Sequence, residues 1–541
     1  MRKSVRPILL IVLACIAIFF VHLDALYINI MEARNFISAR EMLNDQHWLL
    51  TTLNGQARYQ KPPLPTWLVA ISGALFGIKN IIALRFPAAI MALVLAITTY
   101  KFSLKVTANK TLALTGSLVL TTSFLIVFAG RNGQWDIFTH TFMMLCIYQL
   151  YLLFTAKKGS YQHAILAALF LGLSCMSKGP VSVYTLLLPF LIAYGIVYSF
   201  KNLKQRILPT VIFIILGTTI ASWWYLYVYL NDPAELVAIT GRETANWTNY
   251  NIRPIYYYWS FFSQSGVWTM LAFISLLYPY LKDRVSDKKG YQLTLLWTLI
   301  SVVLLSIIPE KKTRYLLPVL IPLALNTAYY LEYLFGNFKH LKDKRETLPV
   351  YLNFSFIGLA GIAFPMVGWF FLKDRLDGNW HWFIMLSVAL FAIGFYILRK
   401  LFTKQIRAVF YGTIGFIAAV MCLGLPLSRL VVINEAYKPL SQIHSWEQKH
   451  DIQVYEYSVV AIEMVWDYGQ KLPVIERNGE ITIPSATRFG VLVSEEQRTN
   501  FLNTFKNYTV EKVTRYDMNT AKLGTKSHRT RLWRDLYLVT K

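Results

Sequence analysis

Charged residues stand at the ends of several apolar segments of this chain, where each is costly unless it is paired or functional. The cations in these positions are Lys61, Lys178, Lys311, Lys312 and Arg314. The acids are Glu32, directly after the first apolar segment, and Asp136, which ends the sequence Gly130-Arg131-Asn132-Gly133-Gln134-Trp135-Asp136. Clustered cations can bind an anionic group, and a carboxylate can accept a proton or stabilise a developing positive charge.

Each of these residues also has a structural interpretation. A single lysine can extend to the membrane interface or contact lipid headgroups. The acids can form salt bridges, such as Glu32 with Arg34 or Asp136 with Arg131. Several cations on one face of the membrane favour binding of an anionic, lipid-linked group.

The composition predicts that these residues belong to a polytopic α-helical membrane protein. Of its 541 residues, 55% are hydrophobic and 15% are charged, which is too little charge to cover a soluble protein of this size. The apolar residues fall in blocks of about 20, the length that crosses a hydrocarbon core of roughly 30 Å.

The apolar blocks predict about thirteen membrane-spanning segments. They are Pro7–Tyr27, Ala83–Val106, Thr111–Ala129, Phe138–Ala156, Ala164–Met176, Val181–Phe200, Ile207–Leu230, Tyr256–Leu281, Gln292–Ile308, Tyr315–Phe335, Val350–Leu372, Trp380–Leu398 and Ala408–Leu430. The first block is interpreted as a span instead of a signal peptide, because no small-residue cleavage site follows it.

Alternate connections between these segments are rich in lysine and arginine, which predicts that they face the cytoplasm. They contain Arg2, Lys3 and Arg6; Lys101, Lys105 and Lys110; Lys157 and Lys158; Lys201, Lys204 and Arg206; Lys282, Arg284, Lys288 and Lys289; Lys339, Lys342, Lys344 and Arg345; and Arg399, Lys400, Lys404 and Arg407. This pattern accounts for much of the net charge of +25 without nucleic-acid binding. The C-terminus is then extracytoplasmic.

Two regions outside the spans have predicted structure of their own. The first outer loop, residues 28–82, should contain interfacial helices at Glu32–Leu43 and Trp67–Phe76, and two prolines after Lys61 should stiffen the chain. A membrane domain of residues 1–430 is followed by an extracytoplasmic α/β domain of residues 431–541. Its predicted elements are the strands Val454–Tyr457, Pro473–Ile475, Phe489–Val493 and Leu536–Val539 and the helix Glu495–Phe505.

Cations and carboxylates at the outer face suit the transfer of a sugar from a polyprenyl phosphate. Cations stabilise the departing phosphate. A carboxylate stabilises the positive charge that develops on the anomeric carbon. A hydroxyl acceptor needs a general base, whereas a phosphate acceptor is already anionic.

Several ordered motifs resemble the aminoarabinose transferase-like branch of the dolichyl-phosphate-mannose-protein mannosyltransferase superfamily, which are GT-C membrane glycosyltransferases. The motifs are Glu32 to Leu43, His47-Trp48, Leu53-Asn54-Gly55, Tyr59 to Leu64, Leu75-Phe76-Gly77, Arg85-Phe86-Pro87, Asp136, Ser177-Lys178-Gly179-Pro180 and Arg314-Tyr315-Leu316-Leu317-Pro318. The resemblance covers roughly residues 24–322.

The resemblance implies an inverting transfer from a polyprenyl-phosphate sugar at the outer face of the bacterial cytoplasmic (inner) membrane. The implied acceptor is a lipid A-like glycolipid or another envelope glycan. The site residues it implies are Glu32 and Asp136 for catalysis, Arg34, Lys61, Lys178 and Arg314 for the donor phosphate, and Tyr59 and Tyr315 for substrate.

The sequence departs from the family pattern in three places. Met31 stands where the family has an acid before Glu32, and Gln60 stands where aminoarabinose members often have glutamate. The loop Asn231–Arg253 also lacks histidine. We therefore predict no metal and no other cofactor. The four cysteines, Cys15, Cys146, Cys175 and Cys422, lie in apolar runs and predict neither a disulfide framework nor a metal site.

Other function classes remain open on sequence alone. A protein O-glycosyltransferase would use the same donor class. A lipid or sugar transporter or flippase is an alternative of another class, although its charged residues are expected near mid-membrane and not at the outer ends. A non-catalytic envelope scaffold is the third.

Overall fold

The computed structural model describes residues 6–156, 161–200, 206–431, 434–477 and 479–541, and the account below concerns these residues. The predicted cytoplasmic cations Arg2, Lys3, Lys157, Lys158, Lys201 and Lys204 lie outside them. The helices of the membrane part are α1 (Pro7–Cys15), α2 (Ile30–Asp45), α3 (Leu64–Phe76), α4 (Ile81–Thr107), α5 (Lys110–Thr122), α6 (Phe124–Gly130), α7 (Asp136–Thr155), α8 (Tyr161–Lys178), α9 (Leu188–Tyr198), α10 (Ile207–Asn231), α11 (Pro233–Asn249), α12 (Thr269–Ser275), α13 (Tyr278–Leu281), α14 (Lys288–Ile307), α15 (Leu317–Asn337), α16 (Lys344–Leu372), α17 (Trp380–Phe402) and α18 (Ile406–Ala419).

Many of these helices are built to cross a membrane. Among the described residues, 7 helices are long and apolar enough to do so, and the pair α5 and α6, bent by 68°, raises the number to 8. Shorter apolar helices occur at Pro7–Phe20, Leu64–Phe76 and Val183–Tyr198. The prediction of a polytopic helical membrane protein is confirmed, whereas the count of thirteen spans stays a prediction.

The predicted span Tyr256–Leu281 is not a continuous helix. It consists of tight helical turns at Ile255–Tyr258 and Phe261–Trp268, followed by α12 and α13. Gly266 interrupts it with a φ of +67°, and a β-carbon there would lie 3.0 Å from the Phe124 side chain. The break therefore lets this segment pass close to α6.

Basic connections gather at one end of the membrane part. Lys404 Nζ donates to the carbonyl of Leu341 at 3.3 Å, and Arg284 pairs with Glu346 at 3.2 Å. The basic connections after α13, α15 and α17 are thus neighbours in space. The first outer loop belongs to the opposite end, because α4 begins there at Ile81 and reaches the basic end near Lys105.

The first outer loop contains helices, as predicted, but α2 is mostly buried and does not simply lie on the surface. An Asn29–Glu32 capping box begins α2, and Pro63 caps α3, accepting its first helical hydrogen bond from the backbone N–H of Trp67. Most of α2 is buried, including Phe36 and Met42. The reason is that α2 packs on α3 from one side and on the C-terminal domain from the other.

The C-terminal region forms a small α/β domain. Its strands in the described residues are β3 (Val454–Glu456), β4 (Glu476–Arg477), β5 (Glu480–Ile481), β6 (Arg488–Val493), β7 (Thr509–Asp517) and β8 (Trp533–Thr540), and its helices are α19 (Ile443–His450), α20 (Ile462–Tyr468) and α21 (Arg498–Thr504). The main sheet has the order β3-β6-β8-β7, with β3 parallel to β6 and the other pairs antiparallel. Two further strands, β1 (Thr52–Leu53) and β2 (Gln56–Ala57), pair within the first outer loop.

The C-terminal domain docks directly on the first outer loop. The Arg40 guanidinium donates to the carbonyls of Val465 at 3.3 Å and Gln470 at 3.2 Å. Asn54 exchanges two hydrogen bonds with the backbone of Leu472, at 2.8 and 2.9 Å. The domain and the loop therefore lie at the same end of the molecule, away from the basic connections.

Candidate active site

Glu32 forms the centre of a buried polar network. Its carboxylate accepts two hydrogen bonds from Arg85, at 2.6 and 2.9 Å, and both side chains are almost completely buried. It also accepts from the side chain of Asn29 at 2.9 Å and from the backbone N–H of Gly133 at 3.0 Å. Glu32 pairs with Arg85 and not with Arg34. Because its oxygens are already occupied, this geometry favours a structural role over the predicted catalytic role.

The segment that precedes Asp136 is held in place from several directions. Arg131 donates to the carbonyls of Ile18 at 2.6 Å and Val21 at 2.7 Å, at the end of the first apolar segment. Asn35 of α2 donates to the carbonyl of Gly133 at 2.7 Å. Arg131 is thus used for positioning, and the salt bridge between Arg131 and Asp136 considered from the sequence is not formed.

Asp136 forms an ion pair with Lys178 inside the protein. Asp136 begins α7 and Lys178 ends α8, and these two helices pack against each other, so the pair joins an acidic helix start to a basic helix end. The Lys178 Nζ donates to Asp136 Oδ1, and the two side chains are 6% and 2% exposed. No other hydrogen bond to the Asp136 carboxylate occurs in the parts of the chain that the structure describes, so Oδ2 remains available.

Further cations surround this pair. Arg314 and Lys312 are within electrostatic range of Lys178, and Lys61 is within range of both Lys178 and Asp136. Lys178 Nζ lies 5.1 Å from the ring centroid of Tyr315. The structure thus brings Lys61, Asp136, Lys178, Arg314 and Tyr315 together, and their roles in catalysis and donor binding stay a prediction.

Two of these cations lack partners that would neutralise them. Lys61 has no hydrogen bond or ion pair with any described residue. The Arg314 Nε is buried without a hydrogen-bond partner, and its guanidinium carbon lies 5.7 Å from the ring centroid of Tyr315. A buried donor without a partner is costly, and an anionic ligand would satisfy it.

Burial and mutual repulsion both lower the pKa values of these cations. Burial and the neighbouring charge of Lys178 lower the pKa of Lys61 to about 8. Burial and the charge of Arg34 lower the pKa of Arg58 to about 9, and burial together with Arg314 lowers the pKa of Arg34. These groups therefore gain from the arrival of an anion.

The remaining predicted residues occupy the edge of this region. Arg34 contacts Met31 Sδ at 4.0 Å through Nη1 and forms no ion pair in the described chain. Tyr59 donates to Asp232 at 2.9 Å, at the residue that caps α11, and so it fixes the junction of α10 and α11. The structure does not place the Tyr59 hydroxyl among the cations, which leaves its substrate-binding role a prediction.

Sequence reasoning assigned no role to two residues that lie near these cations. Arg58 lies with its guanidinium carbon 4.8 Å from the ring centroid of Trp135 and donates to the carbonyl of Arg34 at 3.3 Å. Glu243 of α11 is within electrostatic range of Arg34, Arg58 and Lys61. Arg58 stands three positions before Lys61, so its charge was the signal. Glu243 belongs to the connection Asn231–Arg253, which is distant in sequence, and only the packing of α11 brings it near the cations.

The side chains present do not form an evident metal site. No group of three or more histidine, cysteine, aspartate and glutamate residues that could hold a metal ion occurs in the described residues. Gln60 has a buried side-chain oxygen without a hydrogen-bond partner. A single amide oxygen among cations is a poor ligand set for a divalent metal, and the absence of a metal stays a prediction.

Comparison with known proteins supports the relationship suggested by the motifs. Residues 60–225 match the dolichyl-phosphate-mannose-protein mannosyltransferase family. An uncharacterised protein of Aquifex aeolicus (strain VF5) is 26% identical over 336 residues, which are 61% of this chain and 63% of that protein. Undecaprenyl phosphate-alpha-4-amino-4-deoxy-L-arabinose arabinosyl transferase 1 of Proteus mirabilis (strain HI4320) is 25% identical over 373 residues, 66% of this chain and 64% of that protein. The match thus spans somewhat less than two thirds of these relatives.

Solved structures extend the likeness to the whole chain. The crystal structure of ArnT from Cupriavidus metallidurans bound to undecaprenyl phosphate superposes with a TM-score of 0.71 at 14% identity, over 98% of this chain and 97% of that one. The same protein in the apo state gives a TM-score of 0.67. At this identity the superposition establishes the fold. The chain therefore has the GT-C fold and resembles the aminoarabinose transferase-like branch of the dolichyl-phosphate-mannose-protein mannosyltransferase superfamily.

Proposed function

We propose that this protein is a membrane glycosyltransferase that moves a sugar from a polyprenyl-phosphate donor to a lipid A-like glycolipid or another envelope acceptor. The observation that carries the proposal is the buried Asp136–Lys178 pair beside the unpaired cations Lys61 and Arg314. This arrangement can receive a phosphate and present a carboxylate beside it. The names of the relatives and the fold of ArnT support the donor class.

The cations would hold the donor phosphate and stabilise it as it leaves. When the bond between the anomeric carbon and the phosphate oxygen breaks, both electrons stay on the phosphate, whose negative charge rises. Lys61, Lys178 and Arg314 can each donate to its oxygens, and their own repulsion is relieved as they do so. Tyr315 borders Lys178 and Arg314 and limits their movement.

Asp136 would act at the anomeric centre. The acceptor oxygen attacks that carbon from the side opposite the phosphate, which inverts its configuration. With Oδ1 engaged by Lys178, Oδ2 can stabilise the positive charge on the sugar or take the proton of a hydroxyl acceptor. A phosphate acceptor would need no proton transfer.

The site would work at the outer face of the bacterial cytoplasmic membrane, with the C-terminal domain on the same side. Because α20 docks on α2, the domain lies at the end of the molecule opposite the basic connections, which supports this location. Those connections face the cytoplasm under the positive-inside rule. Glu32 and Arg85 would be positioning residues that orient Asp136 through Gly133.

The experiment that tests the proposal is transfer by purified, reconstituted protein. Asp136→Asn should reduce the transfer rate from a polyprenyl-phosphate sugar by at least about 100-fold, because a charged catalytic group is removed. Asp283→Asn, which removes an exposed carboxylate at the opposite end, is the matched control and should retain full activity. Full activity of Asp136→Asn would refute the site, and no transfer by the unaltered protein with any lipid-phosphate sugar would refute the function.

A further inference from the structure

The connection between β7 and β8 is an exposed cationic segment with no acidic residue. We call residues 518–532 the basic hairpin. It contains Lys522, Lys526, His528, Arg529 and Arg531 and no aspartate or glutamate. No part of the proposed transfer reaction uses this segment.

Three cations of the basic hairpin are free to bind a partner. The side chains of Lys522, Lys526 and Arg529 are exposed and form no ion pair with any residue the structure describes. Leu523, between the first two, is 65% exposed. Unpaired cations around an exposed leucine are typical of segments that bind the surface of an anionic membrane.

The base of the basic hairpin is rigidly held. Asp517 accepts from His528 at 3.0 Å, and the Asn519 side chain accepts from the backbone N–H of Arg529 at 2.8 Å. At its other end, Arg531 forms a two-point ion pair with Glu463 of α20, at 2.5 and 2.6 Å. The exposed cations are therefore presented on a fixed support.

The base also contacts the segment that follows the last membrane helix. The backbone N–H of Lys438 donates to the carbonyl of Asp517 at 2.8 Å, and Asn434 donates to the Asp517 carboxylate at 3.1 Å. These residues follow the last membrane helix closely in sequence. Their neighbour Tyr437 packs against Tyr27, at the end of the first apolar segment, with the ring centroids 5.7 Å apart. The base of the hairpin therefore lies close to the ends of the first and last apolar segments, where the membrane surface is expected.

Through Arg531 and Glu463, the basic hairpin is linked electrostatically to the candidate site. Glu463, which binds Arg531, is within electrostatic range of Arg34, and Arg34 is within range of Arg314. A membrane lipid held by the hairpin would help to hold α20, and with it the C-terminal domain, against α2.

We propose that the basic hairpin binds the anionic headgroups of phospholipids in the outer leaflet, with Leu523 entering the headgroup layer. The negative surface attracts Lys522, Lys526 and Arg529, and each cation near such a surface raises binding by about fivefold. The contact anchors the C-terminal domain to the membrane at a second place, beyond its covalent link to the last span.

The test uses the full-length protein with a single environment-sensitive fluorophore on Leu523→Cys. The protein is placed in nanodiscs of phosphatidylcholine alone or of phosphatidylcholine with phosphatidylglycerol. The native cysteines are buried or half-buried and should react poorly. We expect a blue-shifted emission, quenched by spin-labelled lipid, in the anionic nanodiscs, and a loss of both effects at high salt.

Matched charge variants separate this contact from a general charge effect. Lys522→Gln, Lys526→Gln and Arg529→Gln together should abolish the shift. The control Lys449→Gln, Arg477→Gln and Arg488→Gln removes the same charge from exposed positions elsewhere in the domain and should preserve it. Equal emission in both lipids, or a full shift in the hairpin variant, would overturn the proposal.

Inorganic phosphate provides the last arm of the test. At equal ionic strength, phosphate and chloride should weaken the fluorescence response equally. The hairpin is attracted to the overall negative charge of the surface, and both salts screen that charge to the same extent. A much stronger effect of phosphate would reveal a discrete anion site and would also overturn the proposal. Each of these measurements is independent of sugar transfer.

Discussion

Lys61 is the residue whose chemistry is most sensitive to its surroundings. Its pKa of about 8 means that it carries its charge below that pH and loses it as the pH rises further. If the charge binds the donor phosphate, kcat/KM for the donor should fall above pH 8, by up to about tenfold per pH unit. Lys61→Arg should move this fall to higher pH, since arginine stays protonated.

A pH profile of kcat/KM for both proteins checks this prediction. Lys101→Arg, a substitution at the basic end of α4, is the control and should leave the profile unchanged. If kcat/KM of Lys61→Arg fell over the same pH range as that of the unaltered protein, a group other than Lys61 would be responsible for the fall.

Variants of Glu32 can show whether its carboxylate has a structural role or a catalytic role. Glu32→Gln leaves the buried guanidinium of Arg85 without its charge partner and should destabilise the protein by about 3–5 kcal/mol. The double variant Glu32→Gln, Arg85→Met removes both charges and should recover part of that stability.

Thermal unfolding and transfer rates, measured on both variants, make the distinction. Activity should follow stability, so the double variant should transfer sugar measurably. A stable double variant without activity would instead assign chemistry to the Glu32 carboxylate.

At the scale of elements, the approach of α2 to the segment before α7 positions Asp136. A β-carbon on Gly133 would lie 2.3 Å from the Phe36 ring, so Gly133→Ala forces the two apart. We expect a loss of about 1–3 kcal/mol in stability and a lower transfer rate, because Asp136 moves with the segment.

Gly415 of α18 is the matched control, since nothing lies within 4 Å of a β-carbon there. Gly415→Ala should be neutral or slightly stabilising, because alanine favours the helix. Chemical denaturation and kinetic assays of the two variants test this pair. If Gly133→Ala and Gly415→Ala had the same stability and transfer rate, the packing of α2 on Gly133 would not position the Asp136 carboxylate.

At the scale of the whole molecule, the C-terminal domain is joined to the first outer loop by buried hydrogen bonds and apolar contacts. Arg40→Met removes hydrogen bonds to carbonyls of the α20 region while keeping much of the apolar stem. We expect faster hydrogen exchange in residues 462–472 and slower transfer, with the membrane helices unaffected.

Hydrogen-exchange mass spectrometry of the full chain is the measurement. Arg477→Met, on the exposed β4, should leave the exchange of residues 462–472 unchanged. Unaltered exchange in Arg40→Met would show that the domain is held by its apolar contacts alone.

The sequence predicted some strands better than others for a physical reason. Phe489–Val493 was predicted because it is a continuous apolar run, and it forms the central strand β6. Strand β7 was missed because it lies at the edge of the sheet and carries Glu511, Lys512 and Arg515 on largely exposed positions. An edge strand needs little apolar burial, so its sequence carries a weak signal.

Sequence alone determined that this is a helical membrane protein with an α/β domain at its C-terminus and charged residues at the ends of its apolar segments. Apolar block length and charge placement are local properties, and the bilayer constrains both. Only the tertiary structure decided the partners: Glu32 with Arg85, Asp136 with Lys178, and α20 on α2. Such pairings depend on which helix ends meet in space, and no local pattern encodes that.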